Sequence, residues 1–192
     1  ALRKEYGITI VLIEHRLAEA AQLAERVILM EDGRIFADGA PQEVFADREL
    51  RLRLGLRRPT EEPSVSWETL IQSNGHAYAE SKPLLALENI SAGFNGHAVI
   101  NDIYLNLYPG EFVALVGDNG AGKSTLINIC CGVLQPNEGY ISINGTKVSF
   151  DSPKDAEKYK IATVFQEIPV CSYMTIAKNI FLGPSPKTRF GF

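Results

Sequence analysis

Three cysteines, three histidines, two methionines and one tryptophan are all that the 192 residues hold of those types. Cys130, Cys131 and Cys171 are too few and too clustered to frame a disulfide scaffold, so a reducing compartment is expected. No apolar run approaches the roughly 20 residues that a membrane-spanning helix needs. No basic stretch leading into an apolar segment opens the chain, so no secretory leader is expected. Neither sign of charge dominates: 19 Lys and Arg stand against 23 Asp and Glu, a net charge of -4. That balance argues against nucleic acid as the main partner. With 45% apolar and 22% charged residues, the chain has ordinary globular usage. This excludes wholesale disorder and a collagen-like or coiled-coil rod. The length allows one full domain or parts of two.

Arginine and asparagine are missing unevenly. Residues 1–60 hold nine Arg, one Lys and no Asn, whereas residues 61–192 hold one Arg, eight Lys and ten Asn. Both cations serve on solvated faces, so surface chemistry alone is a poor account of the swing. Chance plus local function is one reading. The sharper one is two coding histories, joined by gene fusion, by engineering or by a misassembled reading frame. At the junction, Pro59-Thr60-Glu61-Glu62-Pro63-Ser64 is polar with two prolines, and residues 72–83 are mostly small or polar without a clear period. Residues 59–82 are predicted to be a linker, with Val65–Ile71 as a turn of helix.

Before the junction, Ile8-Thr9-Ile10-Val11-Leu12-Ile13 is a continuous apolar run that reads as a fully buried strand ending in Glu14-His15. Leu17, Ala20, Ala21, Leu23 and Ala24 recur at helical spacing. Val27–Met30 and Arg34–Ala37 read as strands of a hairpin turned at Asp32-Gly33, and Pro41 suits the first turn of a helix. Val27–Met30 running into Glu31-Asp32 also looks like a strand ending in metal-binding carboxylates. Such a strand normally follows a phosphate loop in sequence, and none precedes it here, so Glu31 and Asp32 are read as turn residues. On its own, His15 reads as a satisfied histidine at a strand terminus.

After the junction, Gly117-Asp118-Asn119-Gly120-Ala121-Gly122-Lys123-Ser124 fits the pattern G-x-x-x-x-G-K-[ST]. Phe112–Val116 is an apolar strand entering it, and Thr125–Cys131 is a helix-compatible run leaving it. Glycines allow positive φ, successive N–H groups point inward, and the helix start adds positive charge. Lys123 supplies a cation for β- and γ-phosphates, and the Ser124 hydroxyl suits Mg²⁺, which takes oxygen ligands. Leu85–Ile90 and Val99–Leu107 read as strands, and Gly139–Asn144 with Thr146–Phe150 as a hairpin through Asn144-Gly145. Asp155–Tyr159 reads as a short helix with Ser152 as candidate N-cap, and Ile161–Phe165 as a buried strand ending in Gln166. Phe94, 23 residues before Gly117, would read as core in isolation. Cys130 and Cys131 read as small core hydrophobes.

Both parts resemble ABC-transporter nucleotide-binding domains. Residues 10–39, with Glu25-Arg26-Val27-Ile28-Leu29-Met30-Glu31-Asp32-Gly33-Arg34-Ile35, and Gly39-Ala40-Pro41-Gln42-Glu43-Val44-Phe45 after them, are similar to the family's C-terminal end, where an apolar strand ends in the switch histidine, here His15, and a helix and a hairpin follow. Glu14-His15-Arg16-Leu17 is closest to the energy-coupling ATPases of vitamin and metal importers. Residues 84–192 resemble the first half of such a domain, nearest the monosaccharide importers. Asp118 to Ile127, Gly132-Val133-Leu134-Gln135-Pro136-Asn137-Glu138-Gly139, Phe150 to Ala156, Ile161 to Gln166 and Ala177 to Gly183 carry this.

The resemblance implies an α/β P-loop NTPase fold of ABC type, incomplete, with an antiparallel β subdomain and a parallel-sheet core. Residues 1–58 would be the tail of a first nucleotide-binding domain, 59–82 the linker and 83–192 the start of a second. It implies ATP and Mg²⁺ as cofactors. Phe94 would stack on adenine. Gly117, Asn119, Gly120, Gly122, Lys123, Ser124 and Thr125 would hold phosphates. Ser124 and Gln166 would reach Mg²⁺, while Gln166 and His15 would act on the attacking water. The implied protein is an ATP-binding subunit of an ABC importer that hydrolyses ATP to drive uptake of a sugar, vitamin or metal. It would bind transmembrane permease subunits and a second nucleotide-binding domain, peripheral at the cytoplasmic face of the membrane, with no nucleic acid. Val170–Gly183 lies where relatives receive the permease's coupling helix. The alternatives are a soluble ABC ATPase without membrane partners, and a nucleotide-binding fragment without turnover. In a tandem arrangement, His15 and Lys123 would belong to different sites, and Ile8–Ile13 and Ile161–Phe165 would be left as edge strands.

The 192 residues contain neither the family's signature motif nor the acidic strand that ends in its catalytic carboxylate. General-base action typically contributes about 10²–10⁴-fold. This chain should therefore release no phosphate from ATP above a Lys123→Ala control. Release that vanishes in Lys123→Ala but survives His15→Ala would reveal a base outside this reading.

Overall fold

The computed structural model describes residues 5–14, 23–46, 81–94, 96–164, 174–176 and 178. Residues 1–161 form one compact unit and 162–192 a second. In the first unit the elements are β1 (Ile10–Glu14), β2 (Arg26–Glu31), β3 (Arg34–Gly39), α1 (Pro41–Ala46), β4 (Leu85–Phe94), β5 (His97–Leu107) and β6 (Phe112–Gly117). They continue with α2 (Lys123–Cys130), β7 (Glu138–Ile143), β8 (Thr146–Val148) and α3 (Pro153–Lys158).

The strands make two four-stranded sheets, ordered β1-β6-β2-β3 and β5-β4-β7-β8. In the first, β6 pairs in parallel with β1 on one side and β2 on the other, and β3 adds on antiparallel. Val113 to Val116 of β6 are at most 1% exposed. A strand buried on both faces, rich in Val, Ala and Leu, is what a parallel core strand requires. The second sheet is antiparallel throughout. Both sheets contribute to one apolar core, with Ile28, Met30, Val113 and Leu115 from the first and Leu87, Ile90, Ile100 and Ile103 from the second. Leu126 and Ile129 of α2 fill it from the end of the phosphate-type loop.

The two hairpins form as their turn residues predict. Asp32 and Gly33 have φ of 47° and 74°, and Asn144 and Gly145 have 50° and 79°. Positive φ at both central positions is the type I′ turn that suits strand twist. Glu31 and Asp32 are therefore turn residues, as expected. The N-terminal strands thus join the phosphate-loop strand in a single sheet, a pairing that a division into two half-domains does not anticipate.

Some expectations need correction. The apolar run at Ile8–Ile13 does not make a fully buried strand: β1 spans Ile10–Glu14 at a sheet edge, where Ile10 to Ile13 are half-buried. Ile161–Val164 forms no strand, and Val164 is 91% exposed, because no described strand offers it a ladder. Ser152 is the N-cap of α3, in extended conformation, as expected, although its hydroxyl donates to Asp155 Oδ2 at 3.0 Å and makes no side-chain capping bond. Val65–Ile71 and most of the linker lie outside the described residues. Of the second unit's described residues, Ile176 is 80% exposed.

An ion cluster that is buried at Glu111 and open at Asp38 fastens β2 to the approach to β6. Arg26 Nε and Nη2 donate to the two carboxylate oxygens of Asp38 at 2.6 and 2.7 Å. Its Nη1 donates to Glu111 Oε1 at 3.0 Å and to the Asn106 carbonyl at 2.7 Å. Glu111 is fully buried, and its other oxygen accepts the Tyr108 N–H at 3.0 Å. Burial opposes the charge on Arg26, but the hydrogen bonds and charges of Asp38 and Glu111 outweigh it and raise its pKa. The Thr9 hydroxyl adds a further tie, donating to the Tyr108 carbonyl and accepting the Gly110 N–H.

Removing one partner of a buried pair leaves an uncompensated charge and costs about 3–5 kcal/mol. Arg26→Ala should destabilise the fold by that order in urea denaturation, and Arg26→Met combined with Glu111→Leu should recover much of the loss. Equal destabilisation by the single and double variants would show that the pair itself is not what matters.

Candidate functional site

The loop between β6 and α2 is built on three glycines with positive φ. Gly117 has φ 154°, Gly120 has 88° and Gly122 has 92°. Gly122 is the N-cap of α2, in the left-handed region. A side chain there would also meet Ile100 Cγ2 at 2.4 Å. A turn inside the loop is closed by the Ala121 N–H, which donates to the Asp118 carbonyl at 3.1 Å. The first N–H groups of a helix have no partner within it, and the helix start carries partial positive charge. Loop and helix start together offer backbone donors of the kind that suit an anion.

Lys123, the first residue of α2, is 7% exposed. Its ammonium donates to the carbonyls of Gly117 at 2.7 Å and Asp118 at 2.8 Å. Burial lowers its pKa from the ordinary lysine value, with the Asp118 charge opposing the shift. Two neutral carbonyls accept two of its three N–H groups without neutralising the charge, which leaves the cation able to meet an anionic partner. Ser124 and the tip residues Asn119 and Gly120 are exposed, while Thr125 is half-buried. The Ser124 hydroxyl stands in the first turn of α2 as a hard-oxygen donor of the type Mg²⁺ accepts. Among the described residues, no group of three or more His, Cys, Asp or Glu gathers as a metal site.

Phe94 closes β4 opposite His97 and is 52% exposed, so it is not the core residue its type suggests in isolation. The strand that follows, β5, carries Val99 and Ile100 onto Gly122. His15 and Gln166 lie outside the described residues. The strand before His15, β1, pairs with β6 up to Glu14 opposite Val116. Burial, then the neighbouring Cys131, pushes the Cys130 thiol up to about 12, which agrees with an inert core residue.

Sequence reasoning missed Gly33 and Val99. An added Cβ on Gly33 would lie 2.1 Å from the Val99 carbonyl oxygen, and the Asn101 N–H donates to the Gly33 carbonyl at 2.8 Å. The Asp-Gly pair announced a turn, but nothing local announced what the turn would touch.

Residues 100–190 match the family model described as ABC transporter. The chain is 44% identical over 110 residues to "Ribose import ATP-binding protein RbsA 1" of Rhizobium meliloti (strain 1021), covering 57% of this chain and 22% of that protein. It is 40% identical over 129 residues to "Putative ribose/galactose/methyl galactoside import ATP-binding protein 2" of Agrobacterium fabrum, covering 67% and 25%. The chain thus spans about a quarter of the length of the curated relatives it matches. Among solved structures, a bacterial Atm1-family ABC exporter with ATP bound aligns over 56% of this chain and 19% of that one, at 27% identity and a TM-score of 0.47.

Proposed function

We propose that this chain, which carries part of an ABC-transporter ATP-binding domain homologous to those of sugar-import ATP-binding proteins, belongs to the ATP-binding subunit of a sugar importer. The observation that supports this best is the loop itself, where a buried Lys123 is held on two neutral carbonyls beside the start of α2. In this reading the α2 N-terminus and Lys123 bind the β- and γ-phosphates of ATP. Ser124 holds Mg²⁺, which screens phosphate charge when bound. Gly117, Asn119, Gly120, Gly122 and Thr125 shape the cradle. Phe94, half-exposed at the end of β4, stacks on the adenine ring. Gln166 acts on the metal and the attacking water, while His15, on the tail of the preceding domain, acts on the attacking water of that domain's own site.

The relatives' names support a sugar, of the ribose or galactose class, as the solute. The partners are permease subunits and a second nucleotide-binding domain, and the location is peripheral on the cytoplasmic side of the membrane. No helix among the described residues is long and apolar enough to cross a membrane. The exposed Ile176 supports a permease contact within Val170–Gly183. Residues 1–58 derive from the tail of one such domain, 59–82 from a linker and 83–192 from the start of the next.

Mg-ATP binding by calorimetry tests this reading: Lys123→Ala should abolish it, and equal affinity in the variant would refute the assignment.

The pH dependence follows from the lowered pKa of Lys123. Bound phosphates favour the ammonium and raise that pKa, so the complex holds more protons than the free protein between the two values. Affinity should be flat below the free-state pKa and fall as pH rises through it, by at most about tenfold per pH unit for one proton. Binding heats in two buffers of different ionisation enthalpy should show proton uptake in that window. Identical heats would mean that Lys123 is not the group meeting the phosphates.

A further inference from the structure

The loop is gripped at two of its glycines by the N-terminal hairpin. β2 lies parallel to β6 in a register that runs from Arg26 opposite Val113 to Met30 opposite Gly117. At the end of that register the two backbones almost touch: a Cβ on Gly117 would lie 2.2 Å from the Met30 carbonyl oxygen. Gly117 is also the residue whose carbonyl accepts the Lys123 ammonium. The orientation of this peptide is therefore fixed from one side by β2 and read from the other by the cation.

The second grip is at the hairpin tip. Gly33 lies flat on β5, with its carbonyl accepting the Asn101 N–H and no space for a side chain against Val99. Gly122 closes the same contact. A Cβ on it would meet Ile100 Cγ2 at 2.4 Å, the Val99 carbonyl oxygen at 3.2 Å and Gly33 Cα at 3.5 Å. Gly33, the Val99-Ile100 backbone and the N-cap of α2 thus form one close-packed junction. At the other end of the hairpin, Arg26 is bound to Glu111 and Asn106. A hairpin fastened at its base and pressed flat at its tip cannot shift without moving Gly117 and Gly122.

We propose that the β2–β3 hairpin is a positioning element for the phosphate loop of its own chain, with Gly33 as its key residue. Docking of the hairpin tip and binding of nucleotide phosphates then stabilise one another. The inference rests on the nucleotide reading of the loop. Its physical content is reciprocal: whatever the docked tip adds to nucleotide affinity, bound nucleotide adds to tip docking.

Hydrogen exchange on the full chain, with and without Mg-ATP, tests this. The reporter is the Asn101 amide, which donates to the Gly33 carbonyl, and amides of the β7–β8 hairpin serve as reference. Mg-ATP should slow Asn101 exchange about tenfold or more while leaving the reference unchanged. Lys123→Ala should show no such slowing. Gly33→Ala, strained at φ 74° and crowded by Val99, should weaken Mg-ATP binding by about tenfold or more. Asp32→Asn, which keeps a residue suited to positive φ beside it, should bind within about twofold of the parent. A hairpin with only a structural role would exchange identically with and without nucleotide. If the parent binds Mg-ATP by calorimetry and Asn101 exchange is unchanged, the positioning role is overturned while the nucleotide reading stands. If the parent binds no Mg-ATP, both fall. Should Gly33→Ala fail to fold, exchange in the parent chain decides alone.

Discussion

The Met30 carbonyl occupies the place where a side chain on Gly117 would begin, at 2.2 Å from an ideal Cβ. Much of the arrangement depends on that approach. Because Gly117 has no side chain, β2 can run its ladder to the first residue of the loop. Because β2 is there, β6 has a partner on each side and its apolar residues are sealed from water. The loop then leaves the sheet in a direction fixed by two backbones, and α2 starts at Lys123, whose ammonium turns back onto the carbonyls of Gly117 and Asp118. The anion-binding chemistry is local to the loop, but its geometry is set by a segment more than 80 residues earlier in the chain.

Features encoded by neighbouring residues were legible in the sequence. Asp32-Gly33 and Asn144-Gly145 gave type I′ hairpins, since few residue pairs accept positive φ twice. The loop and its helix follow from glycine spacing and an apolar run. What was not legible depends on partners distant in sequence. Arg26 and Glu111 are 85 positions apart, and neither carries a local sign that the other will neutralise it. The run at Ile8–Ile13 reads as central, yet its strand sits at the edge because nothing described pairs beyond it. Ile161–Val164 has the residues of a strand but no ladder, and an isolated strand leaves its backbone groups unpaired. Phe94 shows the limit from the other side: its exposure comes from standing at a hairpin end, which its residue type cannot reveal.

The composition shift and the sheet bear on different questions. An Arg-rich, Asn-free beginning and a Lys- and Asn-rich remainder raise the question of origin, which base composition along the gene would answer. The parallel pairing of β6 with β1 and β2 speaks of what the chain can do with both parts present. A parallel ladder needs matched register and burial, and is indifferent to which strand comes first in the chain. The entropy of closing a long connection grows only logarithmically with its length, so the stretch from residue 47 to 80 is no strong barrier to that pairing.

Lys123 shows how the arrangement holds a charge ready without spending it. Two carbonyls accept two of its three N–H groups, but burial still depresses its pKa because neither carbonyl carries a full opposite charge and the Asp118 charge only partly opposes the shift. A carboxylate in their place would hold the ammonium more firmly and would have to be displaced by an incoming anion. Arg26 is the contrasting case: it meets Asp38 and Glu111, its pKa rises, and it is committed to the fold. The two cations lie at opposite ends of β6, one neutralised where the sheet must be fastened and one left electrostatically unsatisfied where the loop opens. That difference in partner, more than any difference in burial, separates the structural cation from the one available for chemistry.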